Sequence, residues 1–124
     1  MTDYNKLTKA EEEVMQYLWQ YGPSTVSALI EKMEEPKPPH STVSSIIRIL
    51  ENKGFVDHNT YGKTHEYFTI VAKSDYSKFS LRNLVSNYFN GSVNDLVSFM
   101  IEKKDLSLRD LEDINKKYKN KKSC

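Results

Sequence analysis

Long apolar runs are missing from this chain. None approaches the roughly 20 residues that a bilayer-spanning helix needs, so membrane insertion is not expected. The opening MTDYNKLTKAEEE has no apolar centre. It therefore does not read as a secretory signal, and the expected location is cytoplasmic. Cysteine is nearly absent too. Cys124 stands alone, cannot close an intrachain disulfide, and without a paired His or Cys is a poor metal ligand. It reads as a tail thiol. Glycine is scarce, with four residues and no phosphate-cradling cluster among them. No Ser/His/Asp set falls where one fold would gather it. His40, His58 and His65 lie in loop or hairpin, where a free surface histidine is the default. A His58/His65 metal pair across the hairpin is the minor alternative. These absences argue against an enzyme, a bound cofactor and a dedicated metal centre.

What is there is an ordinary globular composition, 38% hydrophobic and 28% charged over 124 residues. That length suits one domain or two small ones. The charge is uneven. Residues 1–72 carry seven Lys and Arg against ten acids, a net of −3, while residues 73–124 carry eleven against seven, a net of +4. Much of the excess lies in KKYKNKKSC, either a nucleic-acid contact or simply a soluble helix end.

Three short helices come first. Thr8 and Glu11 have capping-box spacing, and the helix they open ends at Gly22-Pro23. Val14, Met15 and Leu18 mark its inner face, with Trp19 at the edge. Ser24 or Thr25 caps a second helix, on which Val26, Leu29, Ile30 and Met33 recur at i, i+3, i+4, i+7. A stiff EEPKPP loop follows. Ser41 or its neighbour caps a third helix, stopped at Lys53-Gly54. Phe55-Val56 and Tyr67–Ile70 are aromatic and β-branched, and read as strands around a polar stretch with Gly62 at the tip. Helix, helix, helix, strand, turn, strand is the order of a small winged helix-turn-helix.

The third helix, within HSTVSSIIRILENKGFV, is unusual. Val43, Ile46, Ile47 and Leu50 face inward, while the other side holds Ser41, Thr42, Ser44, Ser45 and a single Arg48. A merely solvated face would be filled with Glu, Lys and Gln, which favour helix more than serine does. A helix lying in the major groove, about 12 Å wide, has different needs. Short hydroxyl side chains let the backbone approach and donate to phosphates and base edges. Arg48 has the reach and fork for a guanine edge or a phosphate. Lys63, Thr64 and His65 near the hairpin tip would reach backbone from the wing, unless the hairpin is simply solvent-exposed. Thr25 and Lys53 are weaker candidates for phosphate contacts.

Beyond residue 73 the sequence is helical again. Leu81, Leu84, Val85 and Tyr88 share one face. Ser92-x-x-Asp95 and Ser107-x-x-Asp110 open two further helices. The middle one is apolar nearly all round: Val93, Leu96, Val97 and Met100 form a stripe, and Phe99 and Ile101 lie off it. Each large apolar side chain left wet forgoes about 1.5–3 kcal/mol. A second copy would cover them; packing back on the winged helix is the alternative. The expected interface comprises Leu84, Tyr88, Val93, Leu96, Val97, Phe99, Met100, Ile101, Leu111 and Ile114. The expected architecture is mainly α with a small β-hairpin: a winged-helix DNA-binding domain over 1–73, then a three-helix dimerisation region over 74–124.

Three stretches, LTKAEEEVMQYLWQYGPSTVSALIEKM, STVSSIIRILENKGFV and YGKTHEYFTIV, are similar to the penicillinase-repressor family of BlaI/MecI/CopY type. So is the later NYFNGSVNDLVSFMIEKKDLSLRDLEDI, and the likeness covers roughly residues 7–118. The resemblance implies a homodimeric repressor on palindromic double-stranded operators, controlling its own operon and resistance or stress genes. In the beta-lactam branch it implies a membrane metalloprotease sensor and cleavage within the dimerisation region. The sequence departs from the family's pattern in three places. Ile49 stands where many members have Arg, with Arg48 one residue earlier. Phe99-Met100 aligns with the Asn-Phe bond cut in beta-lactam repressors, so cleavage is absent or uses another bond. The lone Cys124 cannot reproduce the paired Cys-x-Cys motifs of copper-responsive members. Two other readings stay open: a winged-helix regulator sensing a small molecule directly, and a protein-binding winged-helix module.

Overall fold

The computed structural model describes residues 6–122, so Cys124 lies outside the described residues. Its elements run α1 (Lys9–Tyr21), α2 (Val26–Lys32), α3 (His40–Asn52), β1 (Val56–Tyr61), β2 (Thr64–Thr69), α4 (Lys73–Tyr88), α5 (Val93–Glu102) and α6 (Leu108–Lys122). The chain forms two compact units divided between Phe79 and Ser80.

The first unit is the winged helix. Helix α1 starts with the expected capping box: the Glu11 amide donates to Thr8 Oγ1 at 3.3 Å, and the Thr8 amide donates to Glu11 Oε1 at 3.0 Å. It stops at Gly22, whose φ of +80° an L side chain rarely adopts. Of the two candidate caps for α2, Thr25 is the one used, accepting from the Ala28 amide at 3.1 Å. Helix α3 departs from expectation. It begins one residue before Ser41, its N-cap is Pro39, and it has no side-chain cap.

The core gathers one stripe from each helix: Val14, Met15 and Leu18; Val26 and Leu29; Val43, Ile47 and Leu50. Phe55, Val56 and Tyr67 close it from the hairpin. Strands β1 and β2 pair antiparallel from Val56↔Thr69 to Tyr61↔Thr64. The two-residue turn uses Gly62 at φ +62°, as a tight hairpin requires at its first central position. These strands are longer than expected, taking in Asp57–Tyr61 and Thr64–Glu66. Polar residues fill them because only Val56 and Tyr67 of the hairpin are buried. A third short strand-like contact was not anticipated: Ser24 and Tyr67 exchange backbone hydrogen bonds of 2.9 and 2.8 Å.

The start of α4 belongs to this core. Tyr76 is 5% exposed, packs edge-on against Phe55 at 5.4 Å, and accepts a hydrogen bond from the Leu7 amide at 3.0 Å. The division therefore falls later than 73/74, because an aromatic ring of α4 helps fill the first unit. Trp19 Nε1 donates to the Val71 carbonyl at 2.9 Å, tying α1 to the chain leaving the hairpin.

In the second unit, Ser92 accepts from the Asp95 amide at 3.1 Å, and Ser107 and Asp110 cap reciprocally at 3.0 Å each. Asn90 and Gly91, both at positive φ, make the break after α4. Phe89 and Phe99 meet edge to face at 5.5 Å. Among the described residues of this unit, Val85 is the single buried one.

Candidate nucleic-acid interface

A helix shows one face to solvent only if its other residues find a core, and α3 does this sharply. Val43, Ile47 and Leu50 are at most 1% exposed. On the opposite side Ser41, Ser45, Arg48 and Asn52 fall at spacings of four, three and four, which places them on one exposed line. Thr42 and Ile49 flank this line on one side, and half-buried Ser44 and Glu51 on the other. The side chains of Ser41, Thr42, Ser45 and Arg48 make no hydrogen bond or ion pair with other described residues. Their donors and acceptors are uncommitted. Ser44 differs: its Oγ lies 3.3 Å from His40 Nδ1.

Two further residues belong to this face beyond the candidate contacts named from the sequence. Ile49 is 43% exposed, an apolar contact of the kind that meets a thymine methyl, and Asn52 carries the amide that pairs with adenine. Helical spacing from Ser45 and Arg48 places both on this face.

The start of α3 is open electrically as well. With Pro39 as N-cap and no acid in the first turn, its first amides and the positive end of its dipole are not neutralised by a side chain. Such an end favours an anion.

The hairpin supplies the second patch. Lys63 sits at the turn, and Thr64 and His65 follow on β2, all exposed. Lys63 has no ion-pair partner among the described residues. His65 Nδ1 lies 3.2 Å from Thr60 Oγ1, across the ladder.

Two lysines that look free in the sequence are not. Lys53 was a candidate phosphate contact. Its Nζ lies 2.6 Å from Glu11 Oε1 and donates to the Lys6 carbonyl at 3.3 Å. Glu11 is buried, which by itself would raise its pKa. The Lys53 ammonium and the Thr8 amide outweigh that burial and hold the carboxyl below its ordinary range. Lys53 is therefore committed to a structural ion pair that joins α3 to α1. Lys37, which adds to the positive charge of this region, donates to the carbonyls of Ile30, Glu31 and Met33 at 2.8–3.1 Å. It caps the C-terminal end of α2. Thr25 is occupied as the α2 cap through its oxygen, which leaves its hydroxyl proton to donate elsewhere.

Behind α3, Thr42 and Val43 wall a groove of about 670 Å³ shared with Tyr17, Met33, Pro36 and Pro38. In the second unit the expected interface residues are not covered. Leu84, Tyr88, Val93, Phe99 and Ile114 are exposed; Leu96, Val97, Met100, Ile101 and Leu111 are half-buried. No described helix is long and apolar enough to cross a membrane.

Comparison with known proteins agrees with this geometry. The penicillinase repressor family model matches residues 7–120. The methicillin resistance regulatory protein MecI of Staphylococcus aureus (strain N315) is 30% identical over 110 residues, covering 88% of this chain and 89% of its own. The penicillinase repressor of Bacillus licheniformis is 24% identical over 122 residues, covering 94% of each chain. Among solved structures, the solution structure of the monomeric form of Bacillus licheniformis BlaI in complex with the blaP half-operator aligns with a TM-score of 0.51 at 23% identity. That alignment covers 61% of this chain and 94% of that one. The DNA-binding domain of the repressor BlaI aligns at a TM-score of 0.52 over the same shares. These likenesses confirm the winged-helix fold, and the match along nearly its whole length places this chain in the penicillinase repressor family, a family of transcriptional repressors and not of enzymes.

Proposed function

We propose that this chain is a DNA-binding transcriptional repressor that grips palindromic operators as a homodimer. The observation that carries the reading is the exposed, uncommitted face of α3. Ser41, Thr42, Ser45 and Arg48 read base edges in the major groove; Ser44, Ile49 and Asn52 extend the contact. The open N-terminus of α3 and the hydroxyl of Thr25 take phosphates. Lys63, Thr64 and His65 hold sugar–phosphate backbone from the wing. Phosphate contacts fix register, and base contacts specify sequence.

The second unit supports homodimerisation: one chain leaves Leu84, Tyr88, Val93, Phe99 and Ile114 exposed and Leu96, Val97, Met100, Ile101 and Leu111 only half-buried. Leu84, Tyr88, Val93, Leu96, Val97, Phe99, Met100, Ile101, Leu111 and Ile114 form the interface. A two-fold dimer presents two α3 helices to two half-sites. The relative solved in monomeric form on a half-operator supports one chain per half-site. Holding both half-sites at once raises effective affinity far above that of one. Separation of the dimer, by a protease belonging to a membrane sensor or by another signal, then releases the operator. The regulated genes are its own operon and resistance or stress genes; the relatives' names, methicillin resistance regulatory protein and penicillinase repressor, support the resistance part of that reading. This work is done in the cytoplasm.

The test is binding to DNA from the chain's own upstream region by fluorescence anisotropy, titrated against salt and protein. Tight sequence-dependent binding with two chains per site, weakening steeply with salt, is the expected result. Equal affinity for unrelated DNA would reject operator recognition.

A further inference from the structure

The chain turns sharply where α3 gives way to the wing. The Phe55 amide donates to the Leu50 carbonyl at 2.9 Å and the Gly54 amide to the Glu51 carbonyl at 3.1 Å. That turn brings the last acid of α3 against the first residues of β1. Glu51, Asp57 and His58 each offer a ligand atom, and the three atoms lie within 4.8 Å of one another. We propose that Glu51, Asp57 and His58 bind a divalent transition metal of the zinc class at the junction of α3 and the wing.

The donor set is the first argument. One imidazole and two carboxylates suit zinc, which takes N and O ligands readily; magnesium and calcium prefer oxygen alone. Two negative carboxylates also balance the charge of a divalent ion.

The geometry is the second. His58 Nδ1 lies 2.7 Å from Glu51 Oε2, a hydrogen-bond separation. Ligands bonded at about 2.0–2.2 Å in a tetrahedron stand somewhat further apart, so the metal replaces the proton between them with a small opening. The Asp57 carboxylate accepts from the His58 amide at 2.8 Å, which restrains it within 4.8 Å of the other two ligand atoms. The imidazole is held from behind by the Tyr67 ring at 5.4 Å and flanked by His65 at 4.4 Å. Glu51 and His58 are each rather more than two-thirds buried, with side-chain exposures of 28% and 29%, while Asp57 lies open to solvent as an entry point. Water fills the fourth position. Glu51 stands on a helix and the other two on a strand, so their backbones are fixed before the ion arrives.

Isothermal titration of zinc chloride into the full chain tests the site, in a C124S background that removes a competing thiol. One zinc per chain is expected, together with a rise in melting temperature. His58→Ala abolishes binding. Glu51→Gln and Asp57→Asn, which keep side-chain shape, each weaken it by about tenfold or more. His65→Ala leaves it intact. Circular dichroism of each variant establishes folding. No heat and no thermal shift with excess zinc would overturn the site. So would binding that survives His58→Ala, or that Glu51→Gln and Asp57→Asn leave unchanged.

Discussion

Lys53 and Glu11 join the end of α3 to the start of α1, Nζ to Oε1 at 2.6 Å. Glu11 is at once the capping-box acid of α1 and the counter-charge of the residue that follows the proposed recognition helix. Replacing it leaves the Thr8 amide without its acceptor and the Lys53 ammonium with the Lys6 carbonyl but no carboxylate. Glu11→Ala is expected to destabilise the first unit by about 1–3 kcal/mol, read from urea unfolding. Lys53→Met is expected to lower stability as well, while the salt slope of operator binding stays constant. A slope reduced by about one would return Lys53 to the phosphate contacts.

Acid should act through the same pair. The Glu11 carboxyl has a lower pKa folded than unfolded, so its contribution is present above the unfolded value, about 4.3. It is lost as pH falls through the lower folded value. The stability difference between the parent chain and Glu11→Gln should therefore shrink as pH drops below about 4.3. A difference independent of pH would contradict the linkage.

On α3, Arg48→Ala is expected to cost about 1–3 kcal/mol of operator affinity and to relax specificity at one base position. Lys63→Ala at the wing tip should instead weaken binding to all sequences alike and lower the salt slope by about one. Anisotropy on matched and scrambled duplexes separates the two effects. An Arg48→Ala chain that binds its operator as the parent does would remove Arg48 from the interface.

In the second unit, Met100→Asp is expected to yield monomers by sedimentation velocity. The same variant should bind a half-site as the parent's single chain does and lose its tight hold on the full palindrome. An intact dimer would show that Met100 lies off the interface.

Much of the first unit was legible because its signals are local. Thr8 with Glu11, Gly22 with Pro23, and the apolar stripe of α2 each act within a few residues. The hairpin was read too short because Asp57–Tyr61 pairs by backbone while its side chains face water, which leaves no apolar alternation to see. Lys53 looks free in the sequence because its partner, a carboxylate 42 residues away, is set by tertiary contact, and so are the three carbonyls that hold Lys37. The same holds for Tyr76: its spacing marks a helix face, and nothing local says that its hydroxyl meets Leu7. On α3, periodicity gave the buried side directly. Asn52, and Ile49 as an apolar contact, do not stand out among serines until the helix is wound.

The bond from Trp19 to the Val71 carbonyl makes the chain its own spectroscopic probe. Trp19 is the sole tryptophan, and it sits in the first unit against the exit of the hairpin. Emission selected for indole thus records the loosening of the winged helix and is blind to events confined to residues 80–122. Tyr88 and Tyr118 of the other unit contribute only to tyrosine signals. Melting of the winged helix can therefore be followed by its own indole emission, apart from changes confined to the other unit, with no label attached.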